Sequence, residues 1–231
     1  PTGELKLAME QPERFEIRLN GSPISTDAEC GWWVDKSLRV IPVDPALLTE
    51  GENELRLKGR YDAEAGLESM FLLGEFSVAL EEDDPLVCEA KRPGFGNWVE
   101  NGFPFYTGAV AYRRNVNLAR ETGDRVFVEL PHVTGTCVRV LVDGKQAGVT
   151  AWDPMEVEIT EVVGDADEVE LAVEVISHRR NAFGPLHHTE QWPRWTGPGQ
   201  YVTSGDEWQE EYNLVPCGCM EPPALSYRTE A

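Results

Sequence analysis

Basic residues are scarce in this chain. Twenty lysines and arginines face forty-one acids over 231 residues, a formal charge of −21. Such a surface repels polyanions, which argues against DNA and RNA as partners. Anionic membranes are disfavoured for the same reason, and no apolar run approaches the ~20 residues needed to span a bilayer. Cysteine is sparse as well. Cys30, Cys88, Cys137, Cys217 and Cys219 are odd in number and irregular in spacing, unlike a disulfide framework, so free thiols are expected. Unpaired thiols lean toward a reducing, cytoplasmic compartment. The chain opens on Pro1, however, and the missing signal segment decides nothing.

Several chemical motifs are also missing. Cys217-Gly-Cys219 is not a CxxC and has no second pair, which leaves zinc without a ligand set. No G-x-S-x-G appears, and "GFGNWVENG" lacks the lysine and helix of a phosphate loop. Amphipathic runs of helical period are absent beyond two short turns, "PALLTEG" (Pro45–Gly51) and "TEVVGD" (Thr160–Asp165).

What fills the chain is alternation of period two, the mark of half-buried antiparallel strands. The first group is Glu4–Glu10, Arg14–Gly21, Asn53–Tyr61 and Met70–Leu80. The second is Ala109–Leu118, Arg125–Pro131, Cys137–Gly144, Met155–Thr160 and Glu168–Ile176. Asn20-Gly21 and Asp143-Gly144 are pairs that tolerate the positive φ of a tight hairpin. With seven tryptophans and 41% hydrophobic residues, the chain is long enough for two real cores.

The two groups repeat one pattern. "FEIRLNG" answers "VRVLVDG", and each copy then runs through a tryptophan-bearing loop (Trp32-Trp33, Trp152), a strand, a short turn and another strand. This is a repeat of domain size. The expected domains are 1–84 and 85–231, joined through "EEDDPLVCEAKRPG" (Glu81–Gly94), where acids and prolines break the alternation. The second copy alone has a leading strand, so the first is expected to be truncated at its N-terminal side.

The run Tyr106–Val175, with "AYRRNVNL", "VFVELPHVTGTCVRVLVDGKQAGV", "PMEVEITEVV" and "EVELAVEV", resembles the sugar-binding domain of family 2-like glycoside hydrolases. The Leu5–Val78 copy is similar to accessory domains of the same galactose-binding-like jelly-roll class. "RNAFGPLHH" and "DEWQEEYNLVPCG" resemble the closing segment of large multidomain bacterial glycosidases. The resemblance implies an all-β chain of two tandem antiparallel β-sandwiches in a non-catalytic, carbohydrate-binding or structural region of a glycoside hydrolase. Catalytic acids in such enzymes sit on a separate barrel, expected here as an upstream domain of the same parent chain. Fold alone licenses no activity.

Two other readings stand beside it. One is a self-contained glycosidase using acids near His188, namely Glu190, Glu207, Glu210 or Glu211. With forty-one acids some pair always meets the ~5–10 Å spacing such chemistry needs, so spacing selects none. The other is an adhesion or protein-interaction module with a flat apolar patch.

"NAFGPLHHTEQWPRW" (Asn181–Trp195) concentrates the chemistry. His178, His187, His188 and Glu190 lack regular ligand spacing, and adjacent histidines on an extended strand point to opposite sides. Neither a catalytic residue nor a metal ligand is assigned. "GDADE" (Gly164–Glu168) offers oxygens for a structural calcium, without a regular ligand sequence, and no cofactor is expected. Sugars are held by stacking their C–H faces on aromatic rings while polar groups read the hydroxyls. The carbohydrate-binding candidates are Trp98, Tyr106, Arg180, Asn181, His188, Trp192 and Trp195. The segment is expected to dock over Gly94–Gly108 by burying Trp192 or Trp195 against Phe103 or Tyr106, leaving His188 and Arg180 to face a ligand.

Overall fold

The computed structural model describes residues 3–229 apart from 61, 64, 65, 67, 82, 83 and 122. Tyr61, at the end of one expected strand, and Glu82 and Asp83, in the expected linker, lie outside the described residues. The protein is all-β, with strands at 42% against 8% helix, above the third that the alternation predicts. No described helix is long and apolar enough to cross a membrane. The chain divides into two compact units, Pro1–Ser77 with Val87–Lys91, and Val78–Leu86 with Arg92–Ala231.

The first unit contains β1 (Leu5–Glu10), β2 (Phe15–Leu19), β3 (Ser22–Ile24), β4 (Trp32–Trp33), β5 (Asp35–Val43), β6 (Leu55–Gly59) and β7 (Phe71–Gly74). They form two antiparallel sheets, β4-β5-β1-β7 and β3-β2-β6. Leu5, Leu7 and Met9 of β1 share one buried cluster with Ile17 and Leu19 of β2 and with Ile41 and Val43 of β5. Alternation thus turns one face of each sheet onto a common core. Between β5 and β6 the expected turn is a 3-10 turn, Pro45–Leu47, capped by the Asp44 carboxylate accepting from Ala46 N–H at 2.9 Å. The stretch read as a linker carries a strand: β8 (Ser77–Glu81) and β9 (Asp84–Cys88) pair as a two-stranded sheet.

The second unit continues with β10 (Ala109–Asn117), β11 (Asp124–Glu129), β12 (Val133–Thr134), β13 (Cys137–Val142), β14 (Lys145–Thr150), β15 (Glu156–Glu158), β16 (Glu168–Ile176), β17 (Gly218–Cys219) and β18 (Ala224–Thr229). The helical turns α1 (Thr160–Val163) and α2 (Arg180–Phe183) flank β16. The sheets are β10-β16-β13-β14 and β15-β11-β18, with β12-β17 as a small pair. Val126, Val128, Val138, Val140, Val173 and Val175 meet in one core.

The repeat is real at the level of pairing. β1 lies between β5 and β7 as β11 lies between β15 and β18, and β2 lies between β3 and β6 as β13 lies between β14 and β16. Both hairpins close with two residues at positive φ: Asn20 and Gly21 at 50° and 80°, Asp143 and Gly144 at 49° and 76°. That is the type I′ turn their sequences demand.

The outer face of β15-β11-β18 carries an ion ladder. Arg125 donates to both oxygens of Glu158 at 2.9 and 2.5 Å. Arg228 donates to both oxygens of Glu156 at 2.9 and 2.5 Å, and to Glu129 at 3.1 Å. The two guanidinium carbons stand 5.1 and 4.0 Å from the outward ring of Phe127, which is only 7% exposed. Hydrogen bonds from Arg125, and then from Thr160, hold the Glu158 carboxyl down to about 2. Because the folded value lies below the unfolded one, the stabilisation is complete above the ordinary value of 4.5. It is lost as pH falls through about 2. NMR titration of the Glu158 side-chain carboxyl at low salt is expected to give a midpoint near 2, rising as salt screens the pair. A midpoint at the ordinary value would mean that the ladder does not persist in solution.

Candidate functional site

After β16 the chain leaves the sheet and returns only at β17. Its departure is fixed by Asn181, 2% exposed. The side-chain amide donates to Val215 O at 2.8 Å and accepts from Val215 N–H at 2.9 Å. It mimics a peptide group and ties the start of the excursion to its end. Further out, the two arms pair as an irregular ladder. Thr189 N–H donates to Glu207 O at 2.9 Å, Gln209 N–H to His187 O at 2.8 Å, and Asn213 N–H to Leu186 O at 2.6 Å.

The adjacent histidines sit at the end of a turn, with His188 N–H donating to Pro185 O at 3.3 Å, and meet different surroundings. His188 is the inward one, 4% exposed. Its Nδ1 accepts from Glu190 N–H at 2.9 Å, and its carbonyl accepts from the Asn213 amide at 2.6 Å. His187 turns outward, its ring 4.8 Å from Tyr212 and 6.4 Å from Trp208. His187, not the expected His188, is therefore the histidine on the aromatic side. His178 approaches Pro216 O at 3.2 Å and His187 approaches Glu210 O at 3.0 Å, so the three imidazoles are spread over separate backbone groups. Among the described residues no three His, Cys, Asp or Glu side chains converge. At "GDADE" the carbonyls of Ala166 and Asp167 already accept, from Arg120 at 3.1 Å and from Leu118 N–H at 2.8 Å.

The excursion does meet the Gly94–Gly108 loop, but through different residues from those expected. Tyr212 lies edge-on to Phe105 at 5.1 Å. Cys217 and Cys219 carbonyls accept from Trp98 and Gly96 N–H, both at 2.7 Å. Gly218, at φ 137°, passes so close that a Cβ would stand 2.5 Å from Gly96 O. Burial of the neighbouring thiols raises them, Cys219 to about 11, which makes them poor nucleophiles.

Trp98 is 1% exposed. Its indole N–H donates to the Tyr112 hydroxyl at 2.8 Å, which donates in turn to Gly94 O at 2.9 Å. Tyr106 lies edge-on to both Trp98 and Phe103 at 6.1 Å. It keeps one side in solvent and donates its hydroxyl to Ala109 O at 3.1 Å.

The expected docking buries Trp192 or Trp195. They are 63% and 73% exposed. The segment that follows them is nonetheless ordered by its own contacts. Gly197 N–H donates to the Gln200 side chain at 2.9 Å, and a Cβ on Gly197 would strike the Trp195 indole nitrogen at 2.6 Å. Tyr201, 52% exposed, donates to Phe183 O at 2.6 Å. Tyr201, Trp208 and Tyr212 escaped the sequence reading; the only signal for them was aromatic density downstream of Trp195.

Of the candidates, then, Trp98, Asn181 and His188 lie inside the fold, the first two with their side-chain polar atoms engaged and His188 through Nδ1. Trp192, Trp195 and Tyr106 present rings to solvent, and Arg180 lies beneath the excursion. Trp152, on the β14–β15 turn, is the most exposed tryptophan at 77%.

No family model matches the chain, and neither does a curated protein. Among solved structures it is similar to a rhamnosidase from Novosphingobium sp. PP1Y. Identity there is 19%, covering 98% of this chain and 23% of that one, with a TM-score of 0.41. It is also similar to an FMN-binding beta-glucuronidase from Facaelibacterium prausnitzii L2-6. Identity is 16%, over 67% of this chain and 21% of that one, with a TM-score of 0.35. Both are glycoside hydrolases. The chain spans less than a quarter of either.

Proposed function

We propose that this chain is a non-catalytic, carbohydrate-binding accessory region of a glycoside-hydrolase-related protein, and that catalysis belongs to a separate domain of the parent chain. The observation that carries the reading is the exposure of Trp192 and Trp195 on a backbone anchored at both ends, by Asn181 on Val215 and by the His187–Gln209 ladder. Solvent-facing indoles cost free energy unless something covers them, and a rigid ring offers a pyranose contact area with little ordering entropy. The acids named for the rival enzyme reading, Glu190, Glu207, Glu210 and Glu211, are all exposed. A catalytic acid is usually raised toward neutrality by burial, which these sites do not offer.

Isothermal titration against a panel of soluble plant and bacterial polysaccharides tests the reading. Trp192→Ala and Trp195→Ala are each expected to weaken binding about tenfold, ~1.4 kcal/mol. Surface truncations of this kind leave stability within about 0.5 kcal/mol, so the melting temperature should hold. Binding that survives both substitutions, or a panel on which nothing binds, would overturn the proposal.

A further inference from the structure

Four arginines of the second unit pair with carboxylates. Arg113 pairs with Glu170, Arg125 with Glu158, Arg139 with Glu174, and Arg228 with Glu129 and Glu156. Arg180 does not, in a chain with two acids for every base. Among the described residues its side chain makes one hydrogen bond, from Nη2 to Gln191 O at 3.3 Å, the long end of the range. Nε and Nη1 are buried without any acceptor. Gly184 closes over the side chain, where a Cβ would lie 2.7 Å from both Cδ and Nη1.

A guanidinium stays charged in proteins, and buried donors of a charged group are costly to leave open. The fold therefore keeps a covered cation with donor capacity to spare, in contact with Gln191, the residue before Trp192. Tyr201, whose hydroxyl donates to Phe183 O, stands nearby. A hydrophobic residue of similar length would fill the same space without that cost.

We propose that Arg180 receives the carboxylate of an acidic sugar, so that the ligand of the aromatic face is a uronic acid residue rather than a neutral one. The inference rests on the carbohydrate-binding reading above. The pyranose ring stacks on the exposed indoles and its carboxylate takes the donors that Arg180 leaves open. Entry requires Gln191 to yield, and among the described residues its hydrogen bonds are two long ones, Arg180 Nη2 to its carbonyl at 3.3 Å and its own amide to Leu214 O at 3.2 Å. The net charge of −21 opposes a polyanion at long range. At physiological ionic strength that repulsion is screened beyond about 8 Å, and the contact at Arg180 is local.

The test uses the whole chain in 0.15 M NaCl. Oligosaccharides of glucuronate, galacturonate and mannuronate are titrated beside their neutral counterparts of glucose, galactose and mannose. At least one uronate oligomer is expected to bind ten times more tightly than its neutral counterpart. Arg180→Met should abolish that preference while leaving the melting temperature unchanged or higher, because an unmatched buried cation is removed. Arg180→Lys keeps the charge without the planar fork and should retain only part of the preference, which guards against a folding failure in the methionine variant. Neutral and acidic sugars bound equally would overturn the inference and leave the carbohydrate reading intact, as would a preference that survives Arg180→Met. If no sugar binds, both fall.

Discussion

Replacing Trp98 by alanine is expected to lower the unfolding free energy of the second unit by about 3–5 kcal/mol, the range for deleting a large buried aromatic. Trp98 is the largest of the fully buried side chains and packs in the core with Leu130, Val138 and Cys219. The substitution also strands the Tyr112 hydroxyl, which now accepts from the indole and donates to Gly94 O. Trp98→Phe keeps a ring in the core but removes the N–H together with part of the indole's volume, so its loss is expected to fall below that of the alanine variant, at about 1–3 kcal/mol. Urea denaturation followed by far-ultraviolet circular dichroism measures both. A loss below 1 kcal/mol for the alanine variant would mean that the Gly94–Gly108 loop is a surface appendage, and the platform beneath the excursion would then have no rigid base.

The strands were legible because their residues alternate within a few positions. Leu5, Leu7 and Met9, or Val138, Val140 and Val142, specify their inward face without any distant information. Asn20-Gly21 and Asp143-Gly144 fixed two hairpins by the same local chemistry. The strands that went unnamed lack that local signal. β14, "KQAGVT", is an edge strand with little to bury. β5 contains Pro42, which reads as a breaker, yet β5 pairs with β1 from Leu38 to Val43 while β4 reaches only its first half. At Pro42 the other side of β5 carries no paired strand, and there a missing N–H costs nothing. β18 pairs with β11 about a hundred residues upstream, a partner no short window contains.

The site was harder to read for the same reason. Which loop aromatics are buried depends on contacts between segments distant in sequence. Trp98 is inside because Cys217 and Cys219 bond to its loop from 120 residues away. Trp192 and Trp195 share its composition and loop setting, but nothing from another strand reaches over them. The histidine pair shows the limit most plainly. The pair sits on a turn closed by His188 N–H on Pro185 O, not on a strand, and which histidine is interior is set by where Asn213 and Glu207 return.

Asn181→Ala is the second substitution with a large expected effect, and it decides what that asparagine is for. A sugar contact on a surface loop can be truncated with loss of affinity and little change in stability. Asn181 instead satisfies two main-chain groups at once, Val215 N–H and Val215 C=O, in a site where both residues are buried. Each buried group left unmatched costs about 1–3 kcal/mol, so a destabilisation of about 2–4 kcal/mol is expected. Asn181→Asp should be no milder. An aspartate still accepts from Val215 N–H, but it has no donor for Val215 C=O and brings a buried negative charge. Because the staple joins the first and last residues of the excursion, its loss should also free the segment between them. Amide hydrogen exchange at Thr189, Gln209 and Asn213, whose N–H groups form the ladder, should then accelerate more than exchange in β11 or β13. Uniform acceleration would mean that the excursion unfolds only with the sandwich. Unchanged stability in both variants would return Asn181 to the list of ligand contacts.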